Sequence, residues 1–297
     1  MKKITVYMRL AVFFFAGFAA YAQIPDLTRV RIVTTHVSGN IYMLEATGDV
    51  AGNIGVSAGP DGILLIDTQF APLADKIKQA LRSIHNGEIR YIINTHHHED
   101  HTHGNLALGK KAVIIGHANT RSRLLDISPE KCPDLAFEKH MAIMFNGEKI
   151  EIFHLPEGHT NNDAVVHFTE SNVFHLGDLW NSGISSFPTV DIDAGGSVRG
   201  MLKNIDTLIQ IIPPNAKIIP GHYSLSDLKD LKKTRTMLVE TIMYVQKKMD
   251  NGETLRMIKE EGLPPEYDKW RTACTNAEEW IENLYFSLQK EKSSHSQ

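Results

Sequence analysis

Two kinds of apolar pattern run along the chain, and the switches between them mark its elements. Strand-forming residues dominate from Arg29 to Thr47 and from Ala51 to Asp67. Val30, Ile32 and Val33, then Ile41, Tyr42 and Leu44, are separated by Ser38-Gly39-Asn40. Asn53–Ala58 and Ile63–Asp67 flank Gly59-Pro60-Asp61-Gly62, which predicts a hairpin turning at Asp61-Gly62. The spacing then becomes helical, with Leu73, Ile77, Ala80, Leu81 and Ile84 recurring at three and four before Gly87. Tyr91-Ile92-Ile93 is a short strand that runs into a polar stretch. This strand, strand, helix, strand order implies an α/β sheet with helices packed outside it.

Further along, Ala112–Ile115, Glu148–Phe153, Ala164–Phe168, Asn172–Leu176 and Lys217–Ile219 read as strands, and Asn119–Leu125 as a helix. Ser128–Ala142, with Pro129 and Pro133, reads as irregular. Ser197 is placed to cap a helix to about Ile211, stopped by Pro213-Pro214. From Ser224 the pattern is wholly helical. Ser224 with Asp227 forms a candidate capping box, and Leu228, Leu231, Leu238, Ile242, Val245 and Met249 follow at helical spacing up to Gly252. Two more helical segments follow, near Leu255 and over Glu278–Leu288, and the tail after Lys290 is expected to fray. This sets a core of about residues 30–223 against a helical extension of about 224–290, which would serve as a dimer surface or a substrate lid.

The 297 residues, 42% of them hydrophobic, are enough for one large domain or two small ones. Met1–Ala22 stands apart. Lys2, Lys3 and Arg9 precede the apolar run Leu10–Ala20, and Ala20-Tyr21-Ala22 has the form of a cleavage site. The segment reads as a signal peptide cut after Ala22, leaving residues 23–297 as the exported, periplasmic or secreted, protein. The alternative is an uncleaved anchor. No other stretch has the length and apolarity of a membrane span, so no stable membrane insertion is expected after cleavage. The chain has 31 Lys and Arg against 35 Asp and Glu, and Met1–Ala22 carries three basic and no acidic residues, so the remainder stands near −7. That balance argues against nucleic acid or an anionic membrane as partner and leaves a small-molecule substrate. Cys132 and Cys274 are the two cysteines, and an oxidising compartment would permit them to pair.

The chemistry concentrates in Thr95–Asn105, where His96, His98, Asp100 and His101 form H-x-H-x-D-H directly after an apolar strand. Imidazoles and a carboxylate packed this closely are metal donors of the kind zinc prefers. A strand entering a tight loop can aim His96 and His98 at one ion and leave Asp100 and His101 to reach a second. A solvated His-rich loop or a purification tag is the bland alternative, but the segment is internal and interrupted by Asp100. Three more donors follow apolar strands and a glycine: His159 after Gly158, Asp178 after Gly177, and His222 after Gly221.

This ordered set resembles the signature of the metallo-β-lactamase superfamily over roughly Asn53–His222. The resemblance implies a four-layer αββα sandwich with the metals at one edge. It implies that His96, His98 and His159 hold one zinc, that Asp100, His101 and His222 hold the other, and that Asp178 bridges them. Asp67, at the end of Ile63–Ile66, is where the family usually has Asp, and it is read as hydrogen-bonding a ligand or its loop. The alternative for Asp67 is a helix cap. Asp163 also fits the family pattern and is read as structural. His97 and His103 are read as surface or loop residues, and the other histidines carry no assigned role.

A metal-bound hydroxide attacking a carbonyl carbon is the reaction the resemblance implies, with Asp100 orienting the hydroxide and carrying a proton. No G-x-S-x-G nucleophile motif is present. The best-known β-lactamase subclass has Cys at the Asp178 position, and another lacks the bridging Asp. Asp178 is closer to the thioester hydrolases and lactonases of the superfamily, whereas export is what a β-lactamase needs. The expected substrate is therefore a β-lactam, a lactone or another ester or thioester. Asn181 to Gly196 should rim the pocket, with Trp180, Asn181 and Tyr223 as candidate substrate contacts. Iron or manganese could replace zinc, since the donor set does not fix the metal. An iron-dependent redox member of the fold and a non-catalytic metal-binding protein are the other readings.

Overall fold

Three apolar clusters divide the molecule into layers, one between two β-sheets and one on the outer face of each sheet. The structure, a computed structural model, describes residues 27–48, 52–182, 186–272 and 275–294. The first half of the chain runs β1 (Ile32–Ser38), β2 (Ile41–Ala46), β3 (Ile54–Gly59), β4 (Gly62–Ile66), α1 (Ala74–Ile84), β5 (Ile89–Ile93), α2 (Glu99–Thr102), α3 (Asn105–Leu108), β6 (Val113–His117), α4 (Ala118–Ile127) and β7 (Leu135–Phe137). The second half runs β8 (His140–Phe145), β9 (Glu148–His154), β10 (Ala164–Phe168), β11 (Val173–His175), α5 (Val198–Ile211), β12 (Lys217–Ile219), α6 (Leu228–Asp250), α7 (Leu255–Glu261) and α8 (Ala277–Ser294). Strands β1 to β7 form one sheet in chain order, antiparallel up to β4 and parallel from β4 to β7. The second sheet has the order β12-β11-β10-β9-β8, with only β11 and β12 parallel.

The layering follows from the two-residue period of a strand, which sends neighbouring side chains to opposite faces. Along β4, Leu64 and Ile66 enter the cluster between the sheets, while Ile63 and Leu65 face α1. In β10, Val166 and Phe168 face the first sheet and Val165 faces α5 and α6. Most positions on both faces of these strands are buried, so β4 reads as a continuous apolar run and β10 as one interrupted only by the half-buried His167. Each fully buried Leu, Ile or Val contributes about 1.5–3 kcal/mol by leaving water. The result is the expected αββα sandwich.

Several local expectations are corrected. Ser128–Ala142 is not irregular throughout: it contains β7 and the start of β8. These strands lie at the sheet edges and are largely exposed, and Pro129 and Pro133, on which the irregular reading rested, precede both strands without interrupting either. The cap of α6 is Asp227, whose side chain accepts from the Lys229 and Asp230 amides, rather than Ser224. The hairpin turns one residue earlier than expected, because Gly59 pairs with Gly62 across Pro60-Asp61. The last helix continues past Lys290 to Ser294.

The C-terminal helices pack on α5. Trp280, Ile281 and Leu284 of α8 join Leu231, Leu238 and Ile242 of α6 and Val198, Met201 and Ile205 of α5 in one cluster. Met1–Ala22 and Cys274 lie outside the described residues. Among the described residues, no helix is long and apolar enough to cross a membrane.

Candidate metal centre

The donors gather where strands of both sheets end. Strand β5 stops at Ile93, and the chain bends through Thr95–His97 to His98, which is extended and precedes the single helical turn α2. His96 and His98 therefore lie in the loop, and Asp100 and His101 lie on α2. The bend expected between the two donor pairs is thus a turn of helix. His159 follows β9, Asp178 sits in the 3-10 turn Gly177–Leu179 after β11, and His222 follows β12.

The glycines before these donors act for different reasons. Gly177 has a positive φ of 52°, the sharp bend expected of it. Gly221 is needed for close approach, since a Cβ there would overlap Oδ1 of Asp178.

The seven donors converge in two overlapping groups. Nδ1 of His98 lies 3.1 Å from Nε2 of His96 and 2.9 Å from Nε2 of His159. Oδ2 of Asp100 lies 3.2 Å from Nε2 of His101 and 3.1 Å from Nε2 of His222. Asp178 stands between the groups, with Oδ1 3.2 Å from Nε2 of His101, and Oδ2 3.4 Å from Nε2 of His222 and 3.8 Å from Nε2 of His159. Donors about 2.0–2.1 Å from a tetrahedral ion stand about 3.3 Å from each other, close to these separations. Nε2 of His101 and Oδ1 of Asp178 are buried and make no hydrogen bond. Leaving such groups without a partner is costly, and a cation between them would satisfy both. The residues therefore fit a pair of divalent ions.

Charge is divided across the cluster. Burial, with His101, His98 and His159 nearby, holds His96 well below the ordinary histidine range. Burial lowers His159 to about 4. Burial also opposes charge on His222, but Asp178 and Asp100 outweigh it and raise that residue to about 10. His101 is raised in the same way by Asp100, Asp178 and Asp67. His96 and His159 at one end thus favour neutral rings, and the carboxylates at the other end call for a positive partner.

Asp67 is fully buried at φ 65° and does not cap a helix. It accepts from the Thr95 amide at 2.8 Å and the Thr95 hydroxyl at 2.7 Å, and pairs with Nδ1 of His101 at 2.8 Å. Asp163 accepts from the amide and hydroxyl of Thr160 and closes the loop that carries His159. His97 lies in the loop as expected but is buried, against Asn162.

A cavity of about 150 Å³ opens on the cluster and is lined by His98, Asp100, His159, Asp178, His222, Asn181, Thr189, Tyr223 and Thr272. Oδ1 of Asn181 is buried there without a hydrogen-bond partner. Trp180 is not at the cavity: it is core, and its Nε1 donates to Thr234 of α6 at 2.8 Å. Thr189 and Asp191 fall in the Asn181–Gly196 stretch expected at the pocket rim, though neither was singled out, and Thr272 was not expected. Each sits in a loop without periodicity, and only the tertiary fold brings it to the donors.

Residues 47–222 match the family model described as the metallo-beta-lactamase superfamily. A hydroxyacylglutathione hydrolase of Synechococcus sp. (strain JA-3-3Ab) is 30% identical over 167 residues, 54% of this chain and 59% of that protein. Another of the same name, from Pelagibacter ubique, is 29% identical over 140 residues, 46% of this chain and 53% of that protein. The match thus spans little more than half the length of these curated relatives. A metallo-beta-lactamase from Pontibacter korlensis superposes with a TM-score of 0.60 at 19% identity, covering 70% of this chain and 99% of that one. A double mutant of the sec-alkyl sulfatase PisA1 superposes with a TM-score of 0.69 at 14% identity, covering 86% of this chain and 50% of that one. Similarity at these identities establishes the fold.

Proposed function

The chain belongs to the metallo-beta-lactamase superfamily, and from that membership and the donor geometry we propose that it is a metal-dependent hydrolase of acyl substrates. His96, His98 and His159 would hold one divalent ion. Asp100, His101 and His222 would hold a second, with Asp178 shared between them. Zinc is the metal proposed for both. The observation that carries the reading is the meeting of Nε2 of His101 with Oδ1 of Asp178, two buried atoms with no hydrogen-bond partner, at the junction of the two donor groups.

A bound pair of such ions lowers the pKa of water toward neutrality and polarises a substrate carbonyl. The protein's own groups do the rest. Asp100 faces both its donor group and the cavity, so its carboxylate can take a proton from the attacking water and pass it to the leaving atom. The buried amide oxygen of Asn181 offers an acceptor to a substrate N–H or O–H. Tyr223 and the hydroxyl-bearing Thr189 and Thr272 line the remaining wall. Asp67 holds His101 in one tautomer, with Nε2 free to bind metal.

Asp178, rather than Cys, and the names of the sequence relatives favour an acyl thioester or a lactone as the substrate class. The basic residues Lys2, Lys3 and Arg9, the apolar run and the Ala20-Tyr21-Ala22 site support export to the periplasm or beyond. The test is hydrolysis by zinc-loaded protein beginning at Gln23, with Asp100→Ala as control. Acyl thioesters, lactones and a chromogenic cephalosporin would be compared, with metal analysis of protein from its native compartment. Asp100-dependent turnover of a thioester or lactone supports the reading. Asp100-dependent turnover of the cephalosporin alone moves the substrate to β-lactams. No Asp100-dependent turnover of any of them overturns the hydrolase assignment.

A further inference from the structure

His98 differs from its two partners in how it is held. His96 and His159 are each about 1% exposed, so packing fixes their rings. The His98 side chain is 28% exposed, and burial alone cannot decide which ring nitrogen meets His96 and His159. The deciding contact comes from a loop far along the chain. Oδ2 of Asp191 lies 2.9 Å from Nε2 of His98. A proton held on Nε2 by a carboxylate leaves the lone pair on Nδ1, the atom that faces His96 and His159.

Asp191 is itself tightly placed. Its Oδ1 accepts from the Ala194 amide at 2.8 Å, and its own amide donates to the His159 carbonyl at 2.9 Å. Nδ1 of His159 pairs with the Thr189 carbonyl at 2.7 Å. The 189–194 loop thus orients two of the three imidazoles. Helix α8 braces the loop from behind: Asn283 accepts from the Val190 amide at 3.3 Å, and Lys290 donates to the Ile192 carbonyl at 2.9 Å.

We propose that Asp191 is a positioning residue that selects Nδ1 of His98 as the metal donor, with α8 as the brace of its loop. The inference rests on the metal site proposed above. Asp191 touches neither substrate nor metal in this arrangement and acts through His98.

The test uses the full-length chain stripped of metal, as wild type, Asp191→Ala and Asp191→Asn. Zinc affinity is read by competition with a chromogenic chelator, ligand geometry by the visible spectrum of the cobalt(II)-substituted protein, and folding by the Tm of the metal-free form. Asp191→Ala should weaken one of the two ions about 10–100-fold, the usual range for a ligand's hydrogen-bond partner, and alter the cobalt spectrum. Asp191→Asn keeps an acceptor oxygen and should fall between Asp191→Ala and wild type. The metal-free Tm should stay near wild type for both. Should Asp191→Ala not fold, Asp191→Asn decides by the same affinity and spectrum. Wild-type affinity and spectrum in the variants would overturn the proposal, as would a weaker affinity accompanied by a large fall in metal-free Tm. A third ion per chain, at His97, His98 and Asp191, which also converge, would overturn it by making Asp191 a ligand. A wild-type chain that binds no metal overturns the metal site itself, an outcome separate from any difference between variants.

Discussion

Oδ2 of Asp67 lies 2.8 Å from Nδ1 of His101, and both side chains are completely buried. This contact determines what His101 can do at its other nitrogen, because a ring that donates from Nδ1 presents a lone pair at Nε2. The same carboxylate ties down Thr95, next to His96, through two further hydrogen bonds. Asp67→Ala should leave these buried donors unsatisfied, at about 1–3 kcal/mol for each. Metal affinity should fall about 10–100-fold. Asp67→Asn should be milder in unfolding. Urea denaturation and chelator competition on the same preparations check both. Wild-type affinity in Asp67→Ala would show that His101 is oriented by packing alone.

The donor roles of Asp100 and His98 separate in mutants. Asp100→Ala should leave the fold intact, because the side chain is partly open to the cavity. It should cut turnover by about 10²–10⁴-fold if the carboxylate moves a proton. His98→Ala should lower metal content and thermal stability together, since binding free energy is also folding free energy. Kinetics with metal analysis and thermal melts distinguish the two. A wild-type rate in Asp100→Ala would remove its proton-handling role. Unchanged affinity for both ions in His98→Ala would break the donor map.

Gly221 tests the packing beneath the cluster. A Cβ at this position would overlap Oδ1 of Asp178 and press on the backbone of Gly177. Gly221→Ala should therefore displace the shared carboxylate, with a stability cost of about 1–3 kcal/mol, typical of overpacking. Both ions should bind less tightly, unlike the single-site loss expected of Asp191→Ala. Metal titration of Gly221→Ala reads the difference. Two ions bound as in wild type would mean that the Gly177–Gly221 contact yields without moving Asp178.

These contrasts also show what a sequence can carry. His96, His98, Asp100 and His101 were legible because they crowd one loop after an apolar strand. His159, Asp178 and His222 were legible because each follows a strand and a glycine. The layers were legible because β4 is an unbroken apolar run and β10 is one interrupted only by His167. Asp191 was not, because with Asp193 near it in Asn181–Gly196 it looks like any turn residue, and its partner His98 lies 93 positions away. Trp180 lies two residues after Asp178 in sequence but is buried in the core, where it bonds Thr234. The 3-10 turn Gly177–Leu179 breaks the two-residue period of the strand before it, so nearness in sequence could not assign Trp180 to the cavity.

Acid sensitivity should come in part from a histidine pair outside the cluster. The rings of His117 and His154 stack with centroids 3.8 Å apart. Nε2 of His117 donates to the Glu138 carbonyl at 2.8 Å, and its Nδ1 accepts from the Asn119 amide at the start of α4. His154 donates from Nδ1 to the Asp163 carbonyl at 2.8 Å. Burial lowers the pKa of both, and His154 lowers that of His117 further. The folded state thus favours neutral rings, while the unfolded chain protonates near the ordinary value of about 6.5. Between the two values the unfolded chain binds more protons, so the pair's contribution is complete above about pH 6.5 and is lost as pH falls toward the folded pKa values. His154→Asn retains a donor for the Asp163 carbonyl, removes one of the titrating groups and relieves the other. Metal-free wild type should then lose more stability between pH 7.5 and 5 than metal-free His154→Asn, measured by urea unfolding at each pH. Equal losses would place the acid sensitivity elsewhere in the molecule.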